Sequence, residues 1–404
     1  MTNAPFTFYQ KWVIFLLTGT LFTVMLDFMV MSPLGDIMMK ALRISASQFG
    51  VAVSAYAFSA GISGFLTAGF ADHFDRKKLL LFFYVGFIVG TLLCALAPTF
   101  PLLVAARVVT GIFGGVISSI SMAIVADLFS LQQRGKVMGF MQMGFGVSQV
   151  LGIPIGLYLA NAYGWQIPFV WIALMAGILA LLLLFKLKPV AEHLALQKSQ
   201  SAFQHLRQTL AQKNYRIGFI TTALLSIGGF MMMPFGSAFA INNLKVTNEQ
   251  LPYLFMITGL ATLVMMPLIG KWSDKMSKFK LFSLCTVAAV IIINIYAQFG
   301  ETPFPIVVVV NVVMMLFIMS RMIPSQALTS AIPKAEDRGA FMSINSSLQQ
   351  IAGGFGAVLA GMVIVQKDNF SPLEHYDTLA MIASSLMLLT IFLMFRVNKI
   401  VRGQ

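Results

Sequence analysis

The run Trp12-Val-Ile-Phe-Leu-Leu-Thr-Gly-Thr-Leu-Phe-Thr-Val-Met-Leu-Asp27-Phe-Met-Val-Met-Ser-Pro33 holds one ionisable group in 22 residues. At about 1.5 Å of rise per residue, about 20 residues cross the hydrocarbon of a bilayer. An aspartate inside such a run is costly, and such groups pair with a cation, face a water-filled cavity or carry protons. The run is long, has only Lys11 just before it and is interrupted by an acid, so it reads as a retained span rather than a cleaved leader.

Eleven similar runs follow. With the first, the segments are 12–34, 46–71, 79–98, 101–128, 137–162, 166–187, 216–242, 251–272, 279–298, 304–331, 339–365 and 378–396. A membrane barrel would show alternating strands of about ten residues, so helices are expected: an all-α membrane protein of twelve spans. The chain is 58% hydrophobic and 10% charged, with a mean hydropathy of +0.85, whereas a soluble domain carries about 25% charge.

The net charge of +13 would suit nucleic acid if taken alone, but its distribution excludes that partner. Of 27 basic residues, 21 fall in loops and ends on one side of the spans and 4 (Lys40, Arg43, Lys245, Lys367) on the other, while Arg107 and Arg321 fall inside spans. This is the positive-inside pattern, and it puts both termini in the cytoplasm. Cys94 and Cys285 sit in separate apolar runs, too few for a disulfide framework. His73, His193, His205 and His375 fall in predicted loops without ligand spacing, so no metal and no other cofactor is expected.

The longest polar stretch, 188–215, divides the chain into 1–187 and 216–404, with six spans in each; Phe203, Leu206 and Leu210 suggest an amphipathic turn within it. The two parts repeat. Asp72 after segment 2 matches Asp274 after segment 8, 202 residues later. Arg134-Gly135 before segment 5 matches Arg338-Gly339 before segment 11, 204 residues later, and Met138 and Met342 keep that register. Parallel repeats of this kind recur in transporters, with the site near the midplane between them.

Ala68-Gly-Phe-Ala-Asp72-His-Phe-Asp-Arg76-Lys77-Lys78 resembles motif A of the major facilitator superfamily (MFS) at Asp72, Arg76 and Lys77. Ala68, His73 and Asp75 depart from its glycine, basic and glycine positions. A second copy, Gly270-Lys-Trp-Ser-Asp274-Lys275-Met-Ser-Lys278, matches at Gly270, Asp274, Lys275 and Lys278, with Ser277 in place of its second glycine. Arg107 with Gly111 resembles motif B, and Asp127 resembles the acid that pairs with the motif A arginine. The resemblance covers essentially the whole chain. It implies the MFS fold, twelve transmembrane helices in two pseudo-symmetric six-helix bundles, with segments 1, 4, 7 and 10 lining a central cavity. It also implies a conformational latch of Asp72, Arg76 and Asp127; the alternative for Arg76, Lys77 and Lys78 is a topology signal alone. Gly152-Ile-Pro154-Ile-Gly156 loosely echoes the antiporter motif C, while glycines there equally serve close helix packing.

Asp27 and Arg107 lie at matching depth, about 9–11 Å below the surface opposite the termini, and are expected to pair. Asp27 then reads as a proton carrier tuned by Arg107, or as one end of a static bridge. Arg321, near the middle of segment 10, has no charged counterpart in the first half, where Ser118 and Ser119 stand. Its planar fork suits a carboxylate or phosphate; the alternative is that it bonds carbonyls at a helix break near Pro324. Tyr56, Gln142, Gln149, Asn311, Asn345 and Gln349 are candidate solute contacts or interhelical bonds. The run Met231-Met-Met233 with Phe230 and Phe235 reads as core or as an adaptable apolar wall.

The expectation is therefore a secondary transporter of a bacterial inner membrane, working as a monomer. It would exchange protons for a small organic substrate (anionic, zwitterionic or polar neutral) and export it, as the drug:proton antiporter branch does. The alternatives are uptake of an organic anion by proton symport or uniport, and a receptor or scaffold that does not transport. An enzyme is not expected, since no nucleophile, base and orienting residue converge.

Overall fold

The computed structural model describes residues 6–67, 71–191, 194, 202–334, 337–368 and 370–402. Regular structure among them is helical, apart from one isolated bridge between Val365 and Glu374. Ten helices among the described residues are long and apolar enough to cross a membrane. Two further helical runs, 131–163 and Arg338–Val363, complete twelve. These two are segments 5 and 11; the first is divided by a π turn into helices of 17 and 11 residues, and both pack against the other half of the molecule. Gly50 of segment 2 lies so close to segment 11 that a Cβ there would stand 2.7 Å from the Ala357 carbonyl. Small residues permit this backbone approach. Segments 3 and 6 instead carry exposed apolar stripes at helical spacing, Phe82, Val85, Val89 and Leu93 on one and Leu174, Ile178, Leu181 and Phe185 on the other, which suit acyl chains.

Four segments are not the straight helices expected. Segment 1 runs Phe8–Val30, opened by a reciprocal cap between Thr7 and Gln10, and continues as a short helix, Gly35–Leu42, ended by Arg43 at φ 53°. Segment 5 is Leu131–Val147, a π turn at Ser148–Gly152, then Ile153–Tyr163. Segment 7 is Lys213–Met232, a 3-10 turn at Met233–Phe235, then Gly236–Asn242. Segment 10 breaks at Arg321, between Phe304–Ser320 and Met322–Thr329. Pro154, Pro234 and Pro324 stand at or just after the last three breaks, where a missing N–H frees a carbonyl of the preceding turn.

The polar stretch between the halves contains a helix, Ala202–Ala211, which carries His205; that histidine is therefore not in a loop as expected. His193 and Lys198 lie outside the described residues, as do the side chains of Phe203 and Leu206. Both ends of the chain lie at one end of the bundle: Phe6 meets Phe129, Tyr9 meets Lys188, and Val401 packs on the cluster that includes Tyr215 and Val397.

The opposite end is closed by contacts between the halves. Ser32 Oγ donates to the Met233 carbonyl, and Ser237 Oγ donates to the Ser32 carbonyl at 2.7 Å. Asn242 Nδ2 donates to Asp36 Oδ1 at 2.6 Å, while Lys40 Nζ takes Asp36 Oδ2 at 2.7 Å. Ser32 and Ser237 are 205 residues apart, and Asp36 and Asn242 are 206, close to the repeat spacing. Corresponding stretches of segments 1 and 7 thus meet at the boundary between the halves.

Candidate transport site

Asp27 sits one turn before the end of the first helix, on its inward face, and Arg107 enters from segment 4. Their side chains are both fully buried, with Arg107 Nη1 2.8 Å from Asp27 Oδ2. Thr91 Oγ1 of segment 3 donates to Asp27 Oδ1 at 3.2 Å. The Arg107 guanidinium lies 4.5 Å from the centre of the Tyr56 ring on segment 2, within cation–π range. Four helices of one half therefore converge on one ion pair. Motif B contributes space as well as charge. A Cβ on Gly111 would overlap Ser59 Oγ and the Tyr56 carbonyl, and one on Gly114 would stand 2.7 Å from Tyr56 Oη. Arg107 Nε and Nη2 are buried without a hydrogen-bond partner among the described residues, as are Arg321 Nε and Nη1.

Such a pair is a labile element. Two desolvated charges neutralise one another, but removing either leaves an uncompensated charge in a medium that disfavours it. Adding a proton to Asp27 leaves Arg107 in that condition. The site can therefore bind a proton only together with a rearrangement or hydration of Arg107.

The other anticipated residues are distributed differently. Arg321 is buried at the segment 10 break, on the same helix face as Met314, Ser325 and Leu328, which are also buried. It has no ion pair among the described residues, and no bond from its side chain to the freed carbonyls is formed there. Asn311 is tied within its own half, accepting from Thr258 Oγ1 at 3.0 Å and donating to Tyr296 Oη at 3.5 Å. Asn345 has a buried Oδ1 without a partner among the described residues, and Gln349 is half-buried one turn further along the same helix. Gln149 is half-buried inside the π turn, where segment 8 approaches at Gly259. The side chain of Gln142 lies outside the described set. Tyr56 is buried beneath Arg107 rather than open to a cavity.

At the end bearing the termini, Arg76 Nε contacts Asp127 Oδ2 at 2.6 Å, joining the start of segment 3 to the end of segment 4. Lys77 Nζ donates to the Leu184 carbonyl at the end of segment 6. Asp75, which departs from the motif A glycine, caps segment 3 by accepting from the N–H groups of Lys77 and Lys78. The side chains of Asp72 and Asp274 lie outside the described set. Of the second copy, Gly270 borders open space, Lys275 is exposed and Lys278 is half-buried at the start of segment 9.

Sequence reasoning missed Thr91 and the Ser32, Asp36, Lys40, Ser237 and Asn242 seam. Thr91 gives no signal, since a hydroxyl in an apolar helix commonly bonds its own backbone. The seam did leave one: Asp36 and Asn242 are polar positions separated by nearly the repeat spacing.

Comparison with known proteins agrees with this architecture. The family model described as Major Facilitator Superfamily matches residues 16–235 and 218–402. Multidrug resistance protein 2 of Bacillus subtilis (strain 168) is 23% identical over 365 residues, covering 88% of this chain and 89% of its own. The uncharacterized MFS-type transporter YbcL of that organism is 24% identical over 358 residues, with the same coverage of both chains. Among solved structures, a D-xylose-proton symporter superposes with a TM-score of 0.80 at 18% identity, covering 98% of this chain and 99% of that one. A mutant form of the nucleoside transporter NupG gives 0.75 at 14% identity, over 96% and 99%. Spanning a membrane many times and carrying the paired motifs in both halves, the chain belongs to the Major Facilitator Superfamily and is a secondary transporter of small molecules, not an enzyme.

Proposed function

We propose that the protein exchanges protons for a small organic solute across a bacterial inner membrane, exporting the solute by alternating access from a cytoplasm that holds both termini. The observation that carries this reading is the fully buried Asp27–Arg107 pair. With Asp27 ionised, the three intramembrane charges sum to +1; with Asp27 protonated they sum to +2. Exchange requires the solute to favour the state without the proton. A polar neutral or zwitterionic solute, with a donor or cationic group to set against Asp27, meets that condition. One proton moving down 100 mV supplies about 2.3 kcal/mol, which suffices for useful concentration of the solute. The likeness to a multidrug resistance protein supports export.

A second reading rests on Arg321, whose buried donors lack a partner among the described residues. An organic anion would favour the +2 state and so travel with the proton, giving uptake by symport. The direction of coupling is thus linked to the charge of the solute. Everted vesicles with an acidified lumen and a pH-sensitive dye separate the two. Exchange predicts that adding a neutral or zwitterionic solute restores the dye signal. A panel that restores none, together with anions that make the medium alkaline around intact cells, establishes symport instead.

A further inference from the structure

The buried ion pair lies inside the first half, yet transport requires the two halves to move against each other. One continuous column of rings joins the pair to the second half. Beneath the Arg107 guanidinium lies Tyr56, whose ring centre is 5.3 Å from that of Phe28. Phe28 in turn lies 5.8 Å from Phe230 of segment 7, across the boundary between the halves. Phe230 rests on segment 11, where a Cβ on Gly353 would stand 3.0 Å from its ring. Phe28 and Phe230 are 202 residues apart, the spacing of Asp72 and Asp274, so they occupy corresponding places in the two halves.

We propose that Phe28 is the positioning residue that conveys the protonation of Asp27 to the boundary between the halves, by way of Arg107 and Tyr56, with Phe230 as the receiving ring. The inference rests on the proton-coupled reading above. Asp27 and Phe28 are adjacent on one helix, so about 100° separates their directions: the acid reaches segments 3 and 4, and the ring reaches segments 2 and 7. The titratable and charged groups facing Asp27 among the described residues are Arg107, Tyr56 and Cys94. When Asp27 takes a proton, Arg107 loses its counter-charge and is left against the Tyr56 face, with the Cys94 thiol beside it. Tyr56 has little room to retreat, because segment 4 closes behind it at Gly111 and Gly114. Displacement is therefore passed to Phe28 and on to Phe230. Packed interiors transmit such shifts because they switch between arrangements rather than deform smoothly.

The test uses the full chain in lipid, with spin labels at Gly139→Cys, which borders open space, and at Lys213→Cys, which is exposed at the start of segment 7, one in each half. Infrared spectroscopy follows the carboxyl band that Asp27→Asn removes, and pulsed electron resonance follows the inter-label distance, both as functions of pH. In the otherwise unaltered protein both change together. Phe28→Leu is expected to keep the carboxyl titration and lose most of the pH-dependent distance change, Phe230→Leu to do the same, and Phe28→Tyr to restore it. A Phe28→Leu protein whose distance follows pH as before overturns the relay alone. Absence of any Asp27-dependent carboxyl band overturns the proton-coupled reading, and the relay with it.

Discussion

At the scale of single residues, stability turns on what a buried pair does when one partner is removed, and so does the proposed proton coupling. Arg107→Leu leaves an aspartate alone in an apolar interior, and the expected loss is about 3–5 kcal/mol, visible as a large drop in melting temperature in detergent. Replacing both residues, Asp27→Leu with Arg107→Leu, is expected to recover most of that stability while abolishing proton-driven transport. A double variant no more stable than Arg107→Leu contradicts the idea that uncompensated charge is the cause. Gly111→Val is expected to prevent accumulation of folded protein, because its side chain would overlap Ser59 and the Tyr56 backbone; normal yield on size-exclusion chromatography would refute this. The pairing itself was legible in the sequence, since two opposite charges at equal helical depth have few other ways to reduce their cost. Thr91 and Phe28 were not legible, because a threonine or phenylalanine in an apolar helix looks the same whether it faces lipid, core or a charge.

At the scale of elements, the tie between segments 3 and 4 is the part most open to a direct test. Arg76 is nearly buried and Asp127 partly exposed, with side-chain exposures of 10% and 22%, so solvent screens the pair only in part and it contributes on the order of 1 kcal/mol to stability. Arg76→Gln is therefore expected to leave the melting temperature within a few degrees and solute affinity nearly unchanged, while slowing turnover several-fold. Equal losses of binding and transport would show a structural role only. The motif A resemblance identified this contact, including its partner, but not the role of Asp75 as a helix cap. The breaks in segments 5, 7 and 10 were legible in different degrees. Pro154 and Pro324 stood out because a conspicuous neighbour, a glycine cluster or Arg321, drew attention to them. Pro234 lay in a run of methionines and phenylalanines that reads as plain core, and the 3-10 turn it produces became evident only from the backbone.

At the scale of the whole molecule, closure of one end depends on corresponding stretches of segments 1 and 7 bonding across the boundary between the halves. Cysteines in place of Ser32 and Ser237, oxidised to a disulfide that ties the two halves at this end, are expected to hold it shut and stop transport, with recovery on reduction. Full activity of the cross-linked protein would exclude opening at that seam. Repeat spacing made the two-half architecture readable, because landmarks at 202 and 204 residues recur only if the halves share a fold. Which residues meet across the boundary was not readable, since that depends on how the two halves pack against each other. The proposed proton coupling stands or falls with Asp27 taking up and releasing a proton as the halves move. Solute accumulation in proteoliposomes under an imposed pH gradient, compared with solute exchange at equal pH, reads this for the unaltered protein and Asp27→Asn. Asp27→Asn is expected to lose gradient-driven accumulation and keep exchange; accumulation that persists in Asp27→Asn would show that the proton travels by another route.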